Sequence, residues 1–396
     1  MSVPPSRDNS PPVLSGDPAE CCGCAAGQAV CPFSAITMEP DGEGFLHPRI
    51  DPARCIRCRR CHDACAFKDA LRSGTGGRKN AARTDTPVFA ARHKDAAVLR
   101  ASTSGGVFTA LSDAFLARGD ALLCVRYDYG THAARFRLAL TTADRDAARG
   151  TMYMQSDPGD SWKEALAWLK ANPGKRLLFV GLGCQTAAFA RFAGLNGVRD
   201  RVLAVDLICH GAPSPLVWKD YIESLAKGEP VSGLDFRDKR NGWNRSTGIV
   251  RVGGREVSIM PYRHLYSLRY TLRRCCSSCP YTSMVRESDI TIGDFWHLEK
   301  SMPDFADPLG TSLVLVHTAR GRDAFDAVRG DLDVRPSNSR DCWQLNLERP
   351  TRHAWNRRAF WRDYRRNGIA HAMDKFSRIT PLDRLVTSVR RFFRRA

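Results

Sequence analysis

Two runs of cysteine near the start of the chain are the residues best equipped for chemistry. Cys55–Cys65, CIRCRRCHDAC, spaces four cysteines two, two and three residues apart. Three thiolates at that pitch wrap a loop around one iron–sulfur cubane, and the fourth, entering a helix, points to a second cluster. Cys21–Pro32, CCGCAAGQAVCP, has nearly the same spacing, but Gly27 stands where a third cysteine is needed and a surplus Cys22 sits beside Cys21. Zinc sites more often use two C-x2-C pairs across a longer spacer. Here the spacer contains AITMEPDGEGFLHPRID, two strand-like segments around an Asp-Gly turn, as in a two-cluster ferredoxin hairpin. The spacing therefore favours 4Fe–4S sites over zinc.

Cross-ligation assigns Cys55, Cys58 and Cys61 with Cys31 to one cluster, and Cys21 and Cys24 with Cys65 to the other. The second set lacks a ligand at Gly27. Either Cys22 replaces it, or the site holds a three-iron cluster, or it is empty. Cys22 as a small packing residue is an equal alternative.

Four more cysteines sit at telling places further on. Cys184 ends the strand-like LLFVGLGCQ, Cys209 ends VLAVDLICHG, and Cys276 and Cys279 form a C-x2-C pair in RRCCSSCPY. Ligands of open α/β sheets gather beyond the carboxyl ends of strands, where Cys184 and Cys209 would lie. Four thiolates suffice for one 4Fe–4S cluster, but cysteines buried at strand ends are also common, so spacing leaves both readings open. Cys124 and Cys342 read as packing cysteines, and Cys275 as a neighbour of Cys276.

Two other motifs bear charge or phosphate chemistry. STSGGVFTAL places Ser102, Ser104, Gly105 and Gly106 at the start of a helix, where free backbone N–H groups favour an anion; Ser104 as an N-cap explains the motif equally well. FRDKRNGW brings Arg237, Lys239 and Arg240 near Trp243, either to clamp an acidic group or as a solvated charged loop. Asp294 in GDFW is a strand-end carboxylate of unassigned role. No Ser/His/Asp or H-E-x-x-H arrangement stands out.

These residues need elements to hold them. The chain has 396 residues, 43% of them hydrophobic, enough for one large core or two to three domains. The reading divides it into a Pro- and Ser-rich, disordered stretch at 1–17, a ferredoxin-type unit at 18–72, a linker at 73–87, an α/β domain at 88–340 and a basic helical extension at 341–396. In the α/β part, ALLCVRYD, RLLFVGLG, RVLAVDLIC and SDITIGDF are short β-branched or aliphatic runs. They alternate with the helical patterns GGVFTALSDAFLARG, DSWKEALAWLKANPG and SPLVWKDYIESLAKG, the last two running from an Asp or Ser cap to a Gly stop. The predicted class is α/β, with a mixed or mostly parallel sheet.

Fifteen cysteines without a basic or apolar leader segment argue for reduced thiols, a metal protein and a cytoplasmic place. Lys and Arg outnumber Asp and Glu by 18, and from Arg352 onward thirteen basic residues face three acidic ones. In PLDRLVTSVRRFFRRA, Leu382, Leu385, Val386, Val389 and Phe392 share one helical face. It would either rest on an anionic membrane surface or pack on the protein's own core. A zinc-stabilised nucleic-acid-binding protein fits the charge but not the cysteine spacing, and no nucleic acid is expected.

Taken together, CCGC…CP…DPARCIRCRRCHDAC, ASTSGGVFTAL, YMQSDPGDSWKEALAWL, FVGLGCQTAAF, DLICHGAPSPLVWKDY, FRDKRNGW and CCSSCPY…SDITIGDFW resemble the coenzyme F420 hydrogenase/dehydrogenase beta-subunit family. The likeness is to the bacterial branch with an N-terminal 4Fe–4S ferredoxin unit, over roughly residues 20–330. The resemblance implies an iron–sulfur flavoprotein oxidoreductase, relaying electrons between a ferredoxin-like partner and a two-electron carrier through FAD. It implies Cys184, Cys209, Cys276 and Cys279 as ligands of a third cluster, and Ser104, Gly105 and Gly106 as part of an FAD pyrophosphate site. A cluster-carrying electron-transfer subunit without flavin is the alternative. Two departures stand out: Leu182-Gly183 where the family usually has Thr-Pro, and Ala66 where a proline is usual.

Overall fold

The computed structural model describes residues 14, 16–73 and 86–378. Most of the stretches read as a disordered start and a linker, and the apolar face from Leu382 to Phe392, lie outside the described residues.

Thirteen strands form three sheets among the described residues. β1 (Ile36–Pro40) and β2 (Leu46–Ile50) make an antiparallel hairpin, with short helices at Ala26–Val30, Arg60–Asp63 and Ala66–Arg72 beside it. The large sheet contains β3 (Val88–His93), β4 (Ala121–Asp128), β5 (Ala133–Ala139), β6 (Leu177–Leu182) and β7 (Val202–Leu207). The antiparallel trio β8 (Val231–Asp238), β9 (Thr247–Val252) and β10 (Arg255–Ser258) forms a separate sheet. β11 (Ile290–Asp294), β12 (Ser312–Val316) and β13 (Leu332–Ser337) return to the large one, whose order is β13-β3-β12-β11-β7-β6-β4-β5. β4, β6, β7 and β11 run parallel and the other pairings are antiparallel, so the sheet is mixed.

Side chains alternate across β6 with period two. Leu177 and Phe179 face Trp162, Phe189 and Phe192 of helices Ser161–Ala171 and Gly183–Leu195; Phe179 and Phe189 stack with centroids 4.3 Å apart. Leu178 and Val180 face Leu111 and Phe115 of helix Val107–Leu116. Burying both faces explains why this strand is a continuous apolar run. The cysteine-rich unit adds to the first of these cores: Ala26, Val30, Ile36 and Phe67 join the cluster around Phe189.

A second core joins helices Pro215–Ala226 and Met260–Leu268 to β8 and β9 through Trp218, Tyr262, Phe236 and Val250. Helix Arg357–Phe376, broken in backbone conformation at Gly368, closes this core with Phe360, Trp361 and Phe376. This part of the basic extension thus packs on the protein itself.

Two cap expectations differ in outcome. Ser214 does accept a hydrogen bond from the Val217 amide, as an N-cap should. Asp160 makes no such bond; its carboxylate takes Lys163, while the Ser161 hydroxyl donates to the Pro158 carbonyl at 2.6 Å.

Candidate functional site

The two cysteine loops share a backbone. Gly23 and Ala25 in the first have φ of +69° and +59°, and the equivalent Arg57 and Arg59 have +59° and +62°. Ala25 and Arg59 each start a short helix from this left-handed position. Non-glycine residues adopt it only at a cost, so its recurrence marks a required loop shape. In this alignment Cys21, Cys24 and Cys31 match Cys55, Cys58 and Cys65, Ile56 matches Cys22, and Cys61 matches Gly27.

Around the second loop lies an outer cavity lined by Cys31, Cys55, Cys58 and Cys61. An inner cavity, lined by Cys21, Cys22, Cys24 and Cys65, shares Cys61 with it. These are the sets that cross-ligation predicts, with Cys22 added to the inner one. A Cβ on Gly27 would meet Leu14 at 3.1 Å and Cys61 at 3.5 Å, so Leu14 occupies the side of the inner cavity where the missing thiol would project.

Cys22 is 4% exposed and lies against Cys24 on one side and Cys184 on the other. It therefore also borders a third cavity, at the carboxyl edge of the sheet, which is lined by Cys184, Cys209, Cys276 and Cys279. β6 and β7 are in register to Leu182 and Leu207, so Cys184 and Cys209 follow at one edge. Cys275 and Cys276 follow Arg273, and that arginine ties the cysteine-rich unit to this edge. Arg273, 1% exposed, donates at 2.8 Å to the carbonyls of Cys21 and Leu46 and to the Gln155 side chain, whose amide in turn donates at 2.8 Å to the Cys22 carbonyl.

Chemically, each donor set is sulfur-rich. Among the described residues no three His, Cys, Asp or Glu converge closely enough to hold a single metal ion. The thiols instead surround cavities, the arrangement a multi-iron cluster needs and a lone zinc does not. Backbone amides already point at the sulfurs: Gly23 at Cys21 (3.4 Å), Ala35 at Cys31 (3.3 Å), Gly211 at Cys209 (3.2 Å) and Ala212 at Cys276 (3.4 Å). Burial pushes the thiols of Cys61 and Cys65 up to about 11 and those of Cys209 and Cys279 up to about 12. A metal bound by these thiols would therefore have to displace protons.

Compensating charge comes from Arg286, which lines the third cavity and pairs with Asp206 at 2.9 Å, both side chains fully buried. Asp206 also accepts from Ser288 at 3.1 Å and from Thr291, which meets the His317 ring at 2.7 Å. A Cβ on Gly183 would come within 3.0 Å of Asp206 and Tyr281, so close packing at this edge fits a glycine ahead of Cys184.

The third cavity shares Leu182, Gln185, Cys209, His210, Gly211 and Ala212 with a pocket of about 530 Å³. Aromatic Phe108, Tyr153, Trp243, Tyr266 and Trp296 line it together with Arg237 and Asp294. The size and the mixture of rings with charged groups, which also include Arg149, Arg263 and Arg269, suit a cofactor or substrate. Arg237 reaches it through an irregularity of the β8–β9 ladder between Asp235 and Asp238, a bulge that turns the side chain inward. Its Nη1 binds Asp294 at 2.8 Å, and its guanidinium lies 5.5 Å and 5.7 Å from the rings of Trp243 and Trp296. Nε and Nη2 have no hydrogen-bond partner among the described residues. Burial works against its charge, but Asp294 and Tyr153 outweigh burial and raise its pKa. The solvated-loop reading holds for Arg240, which pairs with Asp238 and Glu256, and fails for Arg237 and Lys239. The Lys239 ammonium is buried against the Leu99 and Leu309 carbonyls, and burial lowers it to about 8.

The glycine-rich motif is used differently from either simple reading. Ser104 caps no helix: its hydroxyl donates to the Thr311 carbonyl at 3.0 Å. Gly105 packs against backbone, where a Cβ would lie 2.2 Å from the Ala91 carbonyl oxygen, and its amide goes to Ser312. Gly106, at φ +84°, starts helix Val107–Leu116 with no side-chain cap, and Ser104, Gly106, Val107 and Phe108 line the pocket. Sequence reasoning missed Arg273, Gln155, Arg286 and Trp296. Arg273, Gln155 and Trp296 fall within the quoted motifs and Arg286 between two of them, which was the only signal, since burial of a charge leaves no mark in the sequence.

Residues 174–339 match the family model for the C-terminal part of the beta subunit of coenzyme F420 hydrogenase/dehydrogenase. One component of the F(420)H(2) dehydrogenase of Methanosarcina mazei is 24% identical over 331 residues, 79% of this chain and 84% of that protein. One component of the Na(+)-translocating ferredoxin:NAD(+) oxidoreductase complex of Acetobacterium woodii is 42% identical over 45 residues, 11% of this chain and 12% of that protein. A chain of the F420-reducing [NiFe] hydrogenase complex from Methanosarcina barkeri is similar at 20% identity and a TM-score of 0.43, covering 66% of this chain and 83% of that one. Residues 174–339 are thus similar to the C-terminal part of the coenzyme F420 hydrogenase/dehydrogenase beta subunit, and the likeness to a relative extends along most of both chains.

Proposed function

We propose that the chain is an electron-relaying oxidoreductase subunit with three iron–sulfur sites and FAD. The carrying observation is the row of four adjoining cavities. Outer and inner share Cys61, inner and sheet-edge share Cys22 and Phe67, and the sheet-edge cavity shares Cys209 and His210 with the large pocket. Cys31, Cys55, Cys58 and Cys61 would hold one cluster, and Cys184, Cys209, Cys276 and Cys279 another. In the inner cavity Cys21, Cys24 and Cys65 would bind, with Cys22 as fourth thiolate in place of Gly27.

When bound, the clusters supply one-electron steps and FAD the exchange between one- and two-electron chemistry. The chain's own part is to hold and tune. The open helix start at Gly106 and Val107 favours a pyrophosphate, with Ser104 and Gly105 shaping the approach rather than binding through the Gly105 amide. Arg237, paired with Asp294 and beside Tyr153, turns its Nε and Nη2 between Trp243 and Trp296 for the ring end of the cofactor or for an anionic substrate. Phe67 and the aromatic walls keep water from the path between the sites. The relatives' names, a component of a dehydrogenase and one of a ferredoxin:NAD(+) oxidoreductase complex, fit a protein that works with other redox proteins.

Anaerobic purification, a visible spectrum, iron and sulfide assay and acid release of flavin test this. Brown protein carrying FAD is expected. Iron without FAD, even after reconstitution, would reduce the protein to a cluster-carrying electron-transfer component, and zinc without iron would overturn the proposal.

A further inference from the structure

The outer cysteine loop carries four arginines within seven residues: Arg54, Arg57, Arg59 and Arg60. All four are exposed, as are Ile56 and Cys58 between them. Among the described residues none of the four forms an ion pair with a carboxylate. Elsewhere on the surface arginines have found partners, as Arg49 has Glu39, Arg191 has Asp69 and Arg255 has Glu229. The nearby Asp51 directs a carboxylate oxygen to the Ala53 amide at 2.9 Å instead. Arg54 bonds only a neutral group, the Phe33 carbonyl at 2.9 Å. Like charges so close repel, and Arg57 and Arg59 also occupy the unfavourable left-handed region.

Between the arginines two large apolar side chains face water: Ile56 is 59% and Phe33 49% exposed. Both line the outer cavity with Cys31, Cys55, Cys58 and Cys61. An apolar centre within a one-signed charged rim is the make-up of a protein interface. Cys58 is exposed, so the outer cavity reaches the surface here, whereas the cysteines lining the inner and sheet-edge cavities are buried or half-buried.

We propose that this face docks an acidic one-electron carrier protein, whose carboxylates meet Arg54, Arg57, Arg59 and Arg60 while its redox centre approaches Phe33, Ile56 and Cys58. The proposal rests on the reading that the outer cavity holds a cluster. Charge complementarity would steer the encounter and the apolar centre would hold it. A nucleic acid would satisfy the arginines as well, but it gives no role to two exposed apolar side chains over a cysteine-lined cavity.

The test uses the full chain, reconstituted anaerobically, with a small acidic ferredoxin as probe. Calorimetric titration measures binding, and stopped-flow absorbance measures reduction by the reduced probe. In the native protein both the affinity and the second-order rate should fall about tenfold or more between 50 and 500 mM salt, since exposed charge pairs are screened. Arg57→Glu should lower both about tenfold at low salt, with iron per chain and reduction by a neutral photoreduced flavin unchanged. Salt-independent binding by the native protein would overturn the proposal without recourse to any variant. So would an Arg57→Glu protein of full iron content that binds and reacts like the native one, or a DNA duplex that binds more tightly than ferredoxin. Native protein lacking iron would count against the cluster reading, while the calorimetric arm would still report on the docking face.

Discussion

The loops Cys21–Cys31 and Cys55–Cys65 have one backbone and opposite surroundings. The second keeps every cysteine of its run and lies open to solvent, with four arginines that form no ion pair among the described residues. The first has lost a cysteine at Gly27, yet it is the better held: Arg273 and Gln155 grip its carbonyls, and Leu14 and Cys22 complete its cavity. The inner loop keeps the left-handed turns at Gly23 and Ala25 that its intact counterpart has at Arg57 and Arg59, so the exchange of a cysteine for Gly27 leaves the loop shape unchanged.

The largest effect should come from cutting the grip on the inner loop. Arg273→Ala strands the Cys21 and Leu46 carbonyls and the Gln155 side-chain oxygen in a buried site, and should cost about 3–5 kcal/mol in urea unfolding. Cluster iron from the inner loop should be lost while the spectrum of the outer one persists. Equal loss from both loops would show that the two are not independently held.

Cys22→Ala should come next, removing the inner cluster's iron or converting it to a three-iron species visible by EPR, at a stability cost of about 1–2 kcal/mol. Unchanged iron per chain would make Cys22 a spacer between the inner and sheet-edge cavities instead of a ligand. Acid should then separate the covered side of the molecule from the open one. Burial, with Arg286 nearby, holds His317 down at about 4 despite Asp206. Because the unfolded chain takes up this proton more readily, the stability His317 contributes is complete above about pH 6.5 and is lost as pH falls toward 4. The loss is on the order of 2 kcal/mol. His317→Asn should flatten that part of a stability–pH profile. Smallest of all, Arg57→Gln should shift the urea midpoint by the equivalent of less than about 0.5 kcal/mol, since an exposed, unpaired side chain holds nothing in place.

Much of this was readable from the residues. The strands ALLCVRYD, RLLFVGLG and RVLAVDLIC occur nearly as expected, because runs buried on both faces must be apolar throughout. Cys31 sharing a cavity with Cys55, Cys58 and Cys61 follows from the cross-over inherent in the spacing. The three-stranded sheet of β8, β9 and β10 was not legible, and neither was the inward turn of Arg237. FRDKRNGW looks solvated because its charges are dense, and only the bulge between Asp235 and Asp238 separates buried Arg237 from exposed Arg240. The Ser104 cap failed for a similar reason: Thr311, far along the chain, takes its hydroxyl.

By itself the sequence determined which residues could ligate a metal and how each loop is built, because residues two or three apart are placed by local backbone geometry alone. It also determined that Gly27 cannot bind iron. Only the tertiary structure decided that Cys22 faces Cys184, that Arg273 reaches back to Cys21, and that four cavities lie in one row from an open basic face to an aromatic pocket. Such contacts join positions far apart in the chain. Closing those loops carries an entropy cost that local spacing does not offset and that the packed core, once formed, does.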